Sequence, residues 1–285
     1  MNYQIFEPTS DLAPFVKCYW TLESPKSARS ADGEGTSGRQ TIVPDGCMEM
    51  IFHYGDLYKQ YTADRSSYSA GKNSIIQPKC FVIGQLTRPL DIEPTGETGI
   101  FSVRFHPGGF SPFATIPIKE MENTAVSLEQ LFGEDGKEIG QEILTAGSTS
   151  ERIHSIERFL FSRLGDTVTI DRIIQSTVET ILTANGHLSV DEISKQNSVH
   201  KRQLERKFSS AIGLSPKQLS KAIRLQATLK MLLNKKFTSL TALAYESDYY
   251  DQAHFIKDFK ELTGLTPKEF YRNSLKMSSH FYGTN

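Results

Sequence analysis

One stretch of the chain sets cations around an apolar edge at helical spacing. Leu204 and Phe208 stand four residues apart and form the buried edge of a helix. The positions that this edge leaves free carry Lys201, Arg202, Arg206 and Lys207. A guanidinium fork bonds guanine O6 and N7 together, and lysine neutralises phosphate, so such a face has the chemistry of duplex recognition. The stretch is also half of a repeat. Leu204-Glu-Arg-Lys-Phe208, four residues, then Gly213-Leu-Ser-Pro216-Lys217, returns as Phe255-Ile-Lys-Asp-Phe259, four residues, then Gly264-Leu-Thr-Pro267-Lys268, at a constant offset of 51.

The elements that hold these residues follow from local signals. Gly213 and Gly264 are expected C-terminal caps; Ser215-Pro216 and Thr266-Pro267 put a hydroxyl at the N-cap and proline at the first helical position. Upstream of each copy lies a shorter helix, residues 189–196 and 239–247, with Ser189 and Ser239 as caps. Helix, tight turn and second helix therefore occur twice, the arrangement that places a recognition helix in a major groove. Two helical hairpins packed as a bundle would give the same repeat. The cationic faces favour DNA, and so does the continuous helix Pro216–Leu233. Its 18 residues span roughly 27 Å, a spacer on the scale of one DNA turn of roughly 34 Å. Two further helices are expected before the repeat. Residues 150–164 carry Ile153, Ile156, Phe159, Leu160 and Leu164 behind an N-cap at Ser150, ending at Gly165-Asp166. Residues 169–184 carry Ile170, Ile173, Ile174, Thr177, Ile181 and Leu182, ending at Asn185-Gly186.

Charge divides the chain. Residues 1–167 hold 15 Lys and Arg against 22 Asp and Glu, while residues 168–285 hold 17 against 11. A basic C-terminal part on an acidic N-terminal part fits a polyanionic partner for one end only. The 285 residues suggest two domains, and no apolar run is long enough to span a bilayer. Neither a membrane partner nor export is expected, since the start lacks a basic region followed by an apolar one. Cys18, Cys47 and Cys80 are few and far apart, which fits reduced thiols in a cytoplasm rather than a disulfide frame or a zinc site.

The first half reads as β-rich. Residues 41–54 (TIVPDGCMEMIFHY), 80–86 (CFVIGQL) and 99–106 (GIFSVRFH) are bounded by turn clusters. In the last, Phe101, Val103 and Phe105 alternate with Ser102, Arg104 and His106, giving one apolar and one polar face. Residues 24–38 are polar and rich in Gly and Ser, a loop. The fold expected is α+β with two domains. Residues 1–167 would form an antiparallel β barrel or sandwich with flanking helices, for sensing or association. Residues 168–275 would form an all-α domain of two helix-turn-helix units joined by a long helix, and 276–285 a tail.

Residues 188–271, and above all YYDQAHFIKDFKELTGLTPKEFY, closely resemble the DNA-binding domain of the AraC/XylS family of bacterial transcription regulators. That resemblance implies seven helices, the first being 169–184. The unequal turns agree: Ile193 to Leu204 is 11 positions and Leu243 to Phe255 is 12. In the N-terminal part VPDGCMEMIF, IGQLTRPL and VRFHPGGF resemble a poorly characterised sensing domain of some of these regulators. The family pattern implies base contacts from Arg202, Glu205 and Arg206 in the first recognition helix and from Gln252, His254 and Lys257 in the second. Lys201, Lys217 and Lys221 are phosphate candidates. Asp251 and Asp258 are odd neighbours for phosphate, so the first unit is expected to supply more of the affinity. The chain departs from the family where turn glycines become Ser198 and Asp248 and small N-caps become His200 and Tyr250.

The function implied is a cytoplasmic one-component transcription regulator, activator or repressor, that binds double-stranded operator DNA and is modulated by its N-terminal domain. RNA polymerase, a second copy of the chain and a small-molecule effector are further candidate partners. In the N-terminal part Trp20, Arg104 and His106 are the effector-pocket candidates. His53 and His106 lack a third ligand at diagnostic spacing, so no metal is expected, nor any cofactor or catalytic activity. Two rivals remain. A cysteine alkyl acceptor coupled to DNA binding needs an activated thiolate. A ligand-binding or scaffold protein would use the helical part to pack on another protein, and would lack the salt-dependent DNA binding of a regulator.

Overall fold

The alternation in the first half of the chain becomes two antiparallel sheets. The computed structural model describes residues 1–24, 38–61, 74–164, 171–234, 239–247, 249 and 251–273. Most of the predicted 24–38 loop therefore lies outside the described residues, as do Gly165-Asp166, Thr169, Ile170, Asp248, Tyr250 and the 276–285 tail. Contacts divide the chain into two units. One is Met1–Thr41, Cys47–Gln85 and Leu90–Ile170; the other is Ile42–Gly46, Leu86–Pro89 and Asp171–Asn285.

The first unit holds strands β1 (Asn2–Phe6), β2 (Val16–Glu23), β3 (Gln40–Ile42), β4 (Glu49–His53), β5 (Tyr58–Tyr61), β6 (Ser74–Ile76), β7 (Cys80–Ile83), β8 (Leu90–Pro94), β9 (Gly99–Phe105) and β10 (Ala125–Ser127). A six-stranded sheet runs β1-β2-β9-β4-β7-β10 and a four-stranded sheet β3-β8-β5-β6. One face of the larger sheet buries Tyr19, Met50, Phe52, Val82, Phe101, Val103 and Phe105. Helices α1 (Leu128–Phe132), α2 (Glu134–Thr145) and α3 (Thr149–Arg163) close that core through Leu128, Ile139, Ile143, Ile156 and Leu160. The N-cap of α3 is Ser148, which accepts from Glu151 N, and not the expected Ser150. Arg152, buried, turns back to donate to the Ile143 and Ala146 carbonyls at the end of α2.

The polar face of β9 does not face water. Ser102 is fully buried, and Arg104 is largely so because it pairs with Glu49. Nearer the smaller sheet the interior is polar as well. His53 stacks on Tyr58 and shares a hydrogen bond with Gln77, which donates to Gln60.

The second unit is helical: α4 (Arg172–Thr183), α5 (Val190–Gln196), α6 (Lys201–Ile212), α7 (Pro216–Leu233), α8 (Leu240–Glu246), α9 (Gln252–Thr263) and α10 (Pro267–Asn273). Among the described residues these are the seven helices that the family pattern implies. The buried stripe of α4 is Ile174, Thr177, Val178 and Ile181, whereas Leu182, expected inside, is 41% exposed. One helical position separates Ile181 from Leu182, about 100° of rotation, which carries the second side chain off the stripe. Leu225, Leu229, Leu232, Leu243, Phe255 and Phe259 form the core around α7, α8 and α9.

Candidate nucleic-acid interface

Both helix-turn-helix units are built from the expected caps. Ser189 closes a capping box with Glu192 at the start of α5, and Ser215 does the same with Gln218 at α7. Ser239 caps α8 by accepting from Ala242 N. Thr266 and Glu269 exchange equivalent bonds at α10. Gly213 and Gly264 end α6 and α9 at φ 80 and 81, the left-handed region that favours glycine.

The departures have structural consequences. Ser198, in the first turn, sits at φ 53, where its side chain is strained. The turn is tied by Ser194 Oγ, which donates to the Val199 carbonyl. His200 occupies the N-cap of α6 without making a cap bond. In the second unit the N-cap is Asp251 and not the expected Tyr250: its carboxylate accepts from His254 N at 2.7 Å. A short carboxylate closes that bond where a tyrosine ring does not.

In α6 Leu204, Phe208 and Ile212 are buried, and Arg202, Glu205 and Arg206 are exposed on the far side. In α9 Phe255, Phe259 and Leu262 are buried, while Gln252, His254 and Lys257 are exposed. Each recognition helix thus presents its three candidate base-reading side chains outward. Arg202, Arg206, Lys217 and Lys257 have no ion-pair partner among the described residues. Other cations are engaged within the unit. Lys201 bonds Asp191 at 3.0 Å, and that carboxylate holds its ammonium above the usual lysine range. Lys207 pairs with Asp171, whose carboxyl is lowered by that bond. Lys221 reaches Asp258 at 3.0 Å and Glu261 at 2.8 Å. Burial works against its charge, but the two carboxylates outweigh burial and raise the group. Asp258, 8% exposed, also meets His254 Nε2 at 3.4 Å. The two aspartates that looked out of place therefore have structural work, Asp251 as a cap and Asp258 as the link from α9 to α7.

Two family models match the chain: a domain of unknown function (DUF6597) over residues 4–127 and a helix-turn-helix domain over residues 193–273. The C-terminal part of the chain is an AraC-type helix-turn-helix domain. An uncharacterized HTH-type transcriptional regulator of Haemophilus influenzae is 31% identical over 88 residues. The match spans 31% of this chain and 29% of that protein's length. Among solved structures, ToxT from Vibrio cholerae gives a TM-score of 0.43 at 13% identity over 88% of this chain and 97% of its own. The C-terminal domain of AraT, a response regulator from Geobacillus stearothermophilus, gives 0.35 at 20% identity over 37% of this chain and 88% of its own. The AraC-type domain accounts for the repeat.

In the first unit two of the three effector-pocket candidates come together through a residue that sequence reasoning did not single out. Glu49 Oε2 accepts from Trp20 Nε1 at 3.1 Å and from Ser102 Oγ at 3.0 Å, and its Oε1 accepts from Arg104 at 2.8 Å. Burial pushes this carboxyl up to about 7 despite those bonds. His106 lies just past the end of β9, with its backbone N donating to the Phe15 carbonyl, and burial lowers its ring. Burial also raises the three thiols, Cys47 to about 12 and Cys80 to about 11. They are protonated at neutral pH, the opposite of what an alkyl acceptor needs. No group of three His, Cys, Asp or Glu side chains fit to hold a metal ion occurs among the described residues. No helix of the described residues is long and apolar enough to cross a membrane.

Proposed function

We propose that this protein is a one-component transcription regulator that binds operator DNA with α6 and α9 in successive major-groove segments. The observation that carries this reading is the outward display of Arg202, Glu205 and Arg206 on one helix and of Gln252, His254 and Lys257 on its repeat. The 18-residue α7 between them spans roughly 27 Å. Arg202 and Arg206 suit guanine, Glu205 the cytosine amino group, and Gln252 adenine. Lys201, Lys217 and Lys221 serve the phosphates. The N-terminal unit modulates binding through differential affinity for two states. The Trp20–Glu49–Arg104 cluster is the part of it most suited to meeting a polar effector.

Selection of bound sequences from a random duplex library, followed by titration of the enriched site at rising salt, tests this. A motif with two separated halves should emerge. Its affinity should fall by orders of magnitude between roughly 50 and 200 mM salt. A purified chain that enriches no sequence and ignores duplex at low salt would refute the proposal.

A further inference from the structure

Within the AraC-type domain an open cleft of about 520 Å³ separates the two helix-turn-helix units. Its floor is the first half of α7, with Lys217, Ser220, Lys221 and Arg224; Lys201 stands on one wall and Lys257 on the other. The close seating of Gly186 on α7 builds the first wall. A Cβ on that glycine would lie 2.0 Å from the Ser220 carbonyl oxygen, and Arg224 donates twice to the Gly186 carbonyl.

We propose that this cleft holds a phosphate group of the DNA strand that crosses between the two major-groove segments, with the Ser220 hydroxyl as its buried donor. This rests on the DNA-binding reading above and adds a contact to it. Three observations point to an anion. Ser220 is 5% exposed, and its Oγ has no hydrogen-bond partner among the described residues. A helical hydroxyl ordinarily turns back to the carbonyl four residues before it, as Thr228 on the same helix does to Arg224 at 2.8 Å. Ser220 makes no such bond, and the residue belongs to the cleft floor with its Oγ buried just beneath the surface. Second, cations outnumber carboxylates around the cleft. Third, the carboxylates present already sit on those cations: Asp191 on Lys201, and Asp258 and Glu261 on Lys221. They occupy anion positions that a phosphodiester would take over on binding. A duplex with α6 and α9 in successive major grooves must carry its backbone past this gap.

The test uses the full chain and its selected operator. Single methylphosphonate linkages, which remove one phosphate charge, are placed at each position between the two half-motifs. At one of them the affinity of the unmodified protein should drop about tenfold. In Ser220→Ala the same linkage should cost less than about threefold, because the hydrogen bond it removes is already gone. Excess inorganic phosphate at constant ionic strength should compete weakly. If every neutral linkage between the half-motifs is tolerated while the operator is still bound specifically, the cleft contact is wrong and the proposed function stands. If inorganic phosphate binds tightly while neutral linkages are silent, the cleft serves a free anion and the proposal fails. If no operator is selected, both fall.

Discussion

Asp258→Asn should make the protein less stable and yet a tighter binder of DNA. Asp258 is almost fully buried on α9, where it holds Lys221 of α7 at 3.0 Å and lies 3.4 Å from His254. Asparagine keeps the shape and one acceptor but removes the charge. Lys221 retains Glu261 at 2.8 Å, so the loss is that of one charge-assisted bond, about 1–2 kcal/mol of stability. On the DNA side the same change leaves the Lys221 ammonium with one carboxylate in place of two, so it meets a phosphate at smaller cost. One phosphate contact made in full, where the native lysine is held back by two carboxylates, steepens the dependence of log affinity on log salt by at most about 0.9, or at most about eightfold in affinity near 0.1 M salt. Urea unfolding by circular dichroism reads the first effect. Fluorescence anisotropy on the selected operator, from roughly 50 to 200 mM salt, reads the second. A variant that loses stability and DNA affinity together, with an unchanged salt slope, would show that Asp258 serves only the packing of α9 on α7.

Arg206→Ala should weaken operator binding by about 1–3 kcal/mol and relax the preference at a single base pair, read by repeating the selection with the variant. An unchanged motif and affinity would remove Arg206 from the interface. Ser198→Gly relieves a left-handed serine at φ 53 and should stabilise the helical unit by roughly 0.5–1 kcal/mol, after the larger unfolded-state entropy of glycine is subtracted. His200→Ser supplies the absent cap bond of α6 and should add about 1 kcal/mol in the same urea experiment. His53 is buried and neutral, its ring lowered to about 4 by desolvation despite the Gln77 bond. An imidazole depressed in the folded state binds fewer protons there than in the unfolded chain, so its contribution is lost as pH falls from about 6.5 toward about 4. Between pH 7 and pH 5 the native chain should lose about 2 kcal/mol more than His53→Gln. Equal losses in the two would show that His53 does not set the acid sensitivity.

Legibility in the sequence followed locality. Caps such as Ser189, Ser215, Ser239, Gly213 and Gly264 act within a turn of their own position, so the boundaries of α7 and the two-unit plan could be read directly. Local reading failed where neighbours offered the same chemistry. Ser148, Thr149 and Ser150 all carry hydroxyls, and only the helix start in three dimensions chose the first. At α9 the cap is Asp251 rather than Tyr250 for a different reason, since a short carboxylate closes a bond that a tyrosine ring does not. What stayed hidden was the pairing of distant strands. Register sets Glu49 opposite Arg104 and Trp20 opposite Ser102, which turns the polar face of β9 into a buried network. No spacing within β9 reports that a carboxylate 55 residues upstream will cover it. The links of Lys221 to Asp258 and Glu261 are equally invisible, since they join helices far apart in the chain.

Those hidden links make the two recognition helices unequal in a way that residue counts do not show. On α6 the two lysines are held by Asp191 and Asp171, while Arg202 and Arg206 stand without an ion-pair partner among the described residues. The groups left free there have the geometry to read guanine. On α9 His254 already lies against Asp258, and the adjoining Lys221 carries two carboxylates. Lys257 apart, the candidate basic contacts there, His254 and the adjoining Lys221, must leave internal carboxylates before they meet phosphate, whereas Arg202 and Arg206 of the first unit need no such exchange, so the second unit's net return on a wrong sequence is the smaller. Encounter with any duplex should therefore begin at α6, and the closing of α9 should reward only a site whose second half fits. It follows that Arg202→Ala and Arg206→Ala should depress non-specific and specific binding alike, whereas Gln252→Ala and Lys257→Ala should act chiefly on the specific complex. Titration of each variant on the operator and on a scrambled duplex measures the difference. Equal losses on both duplexes for all four variants would mean that the two helices engage DNA as one undivided surface.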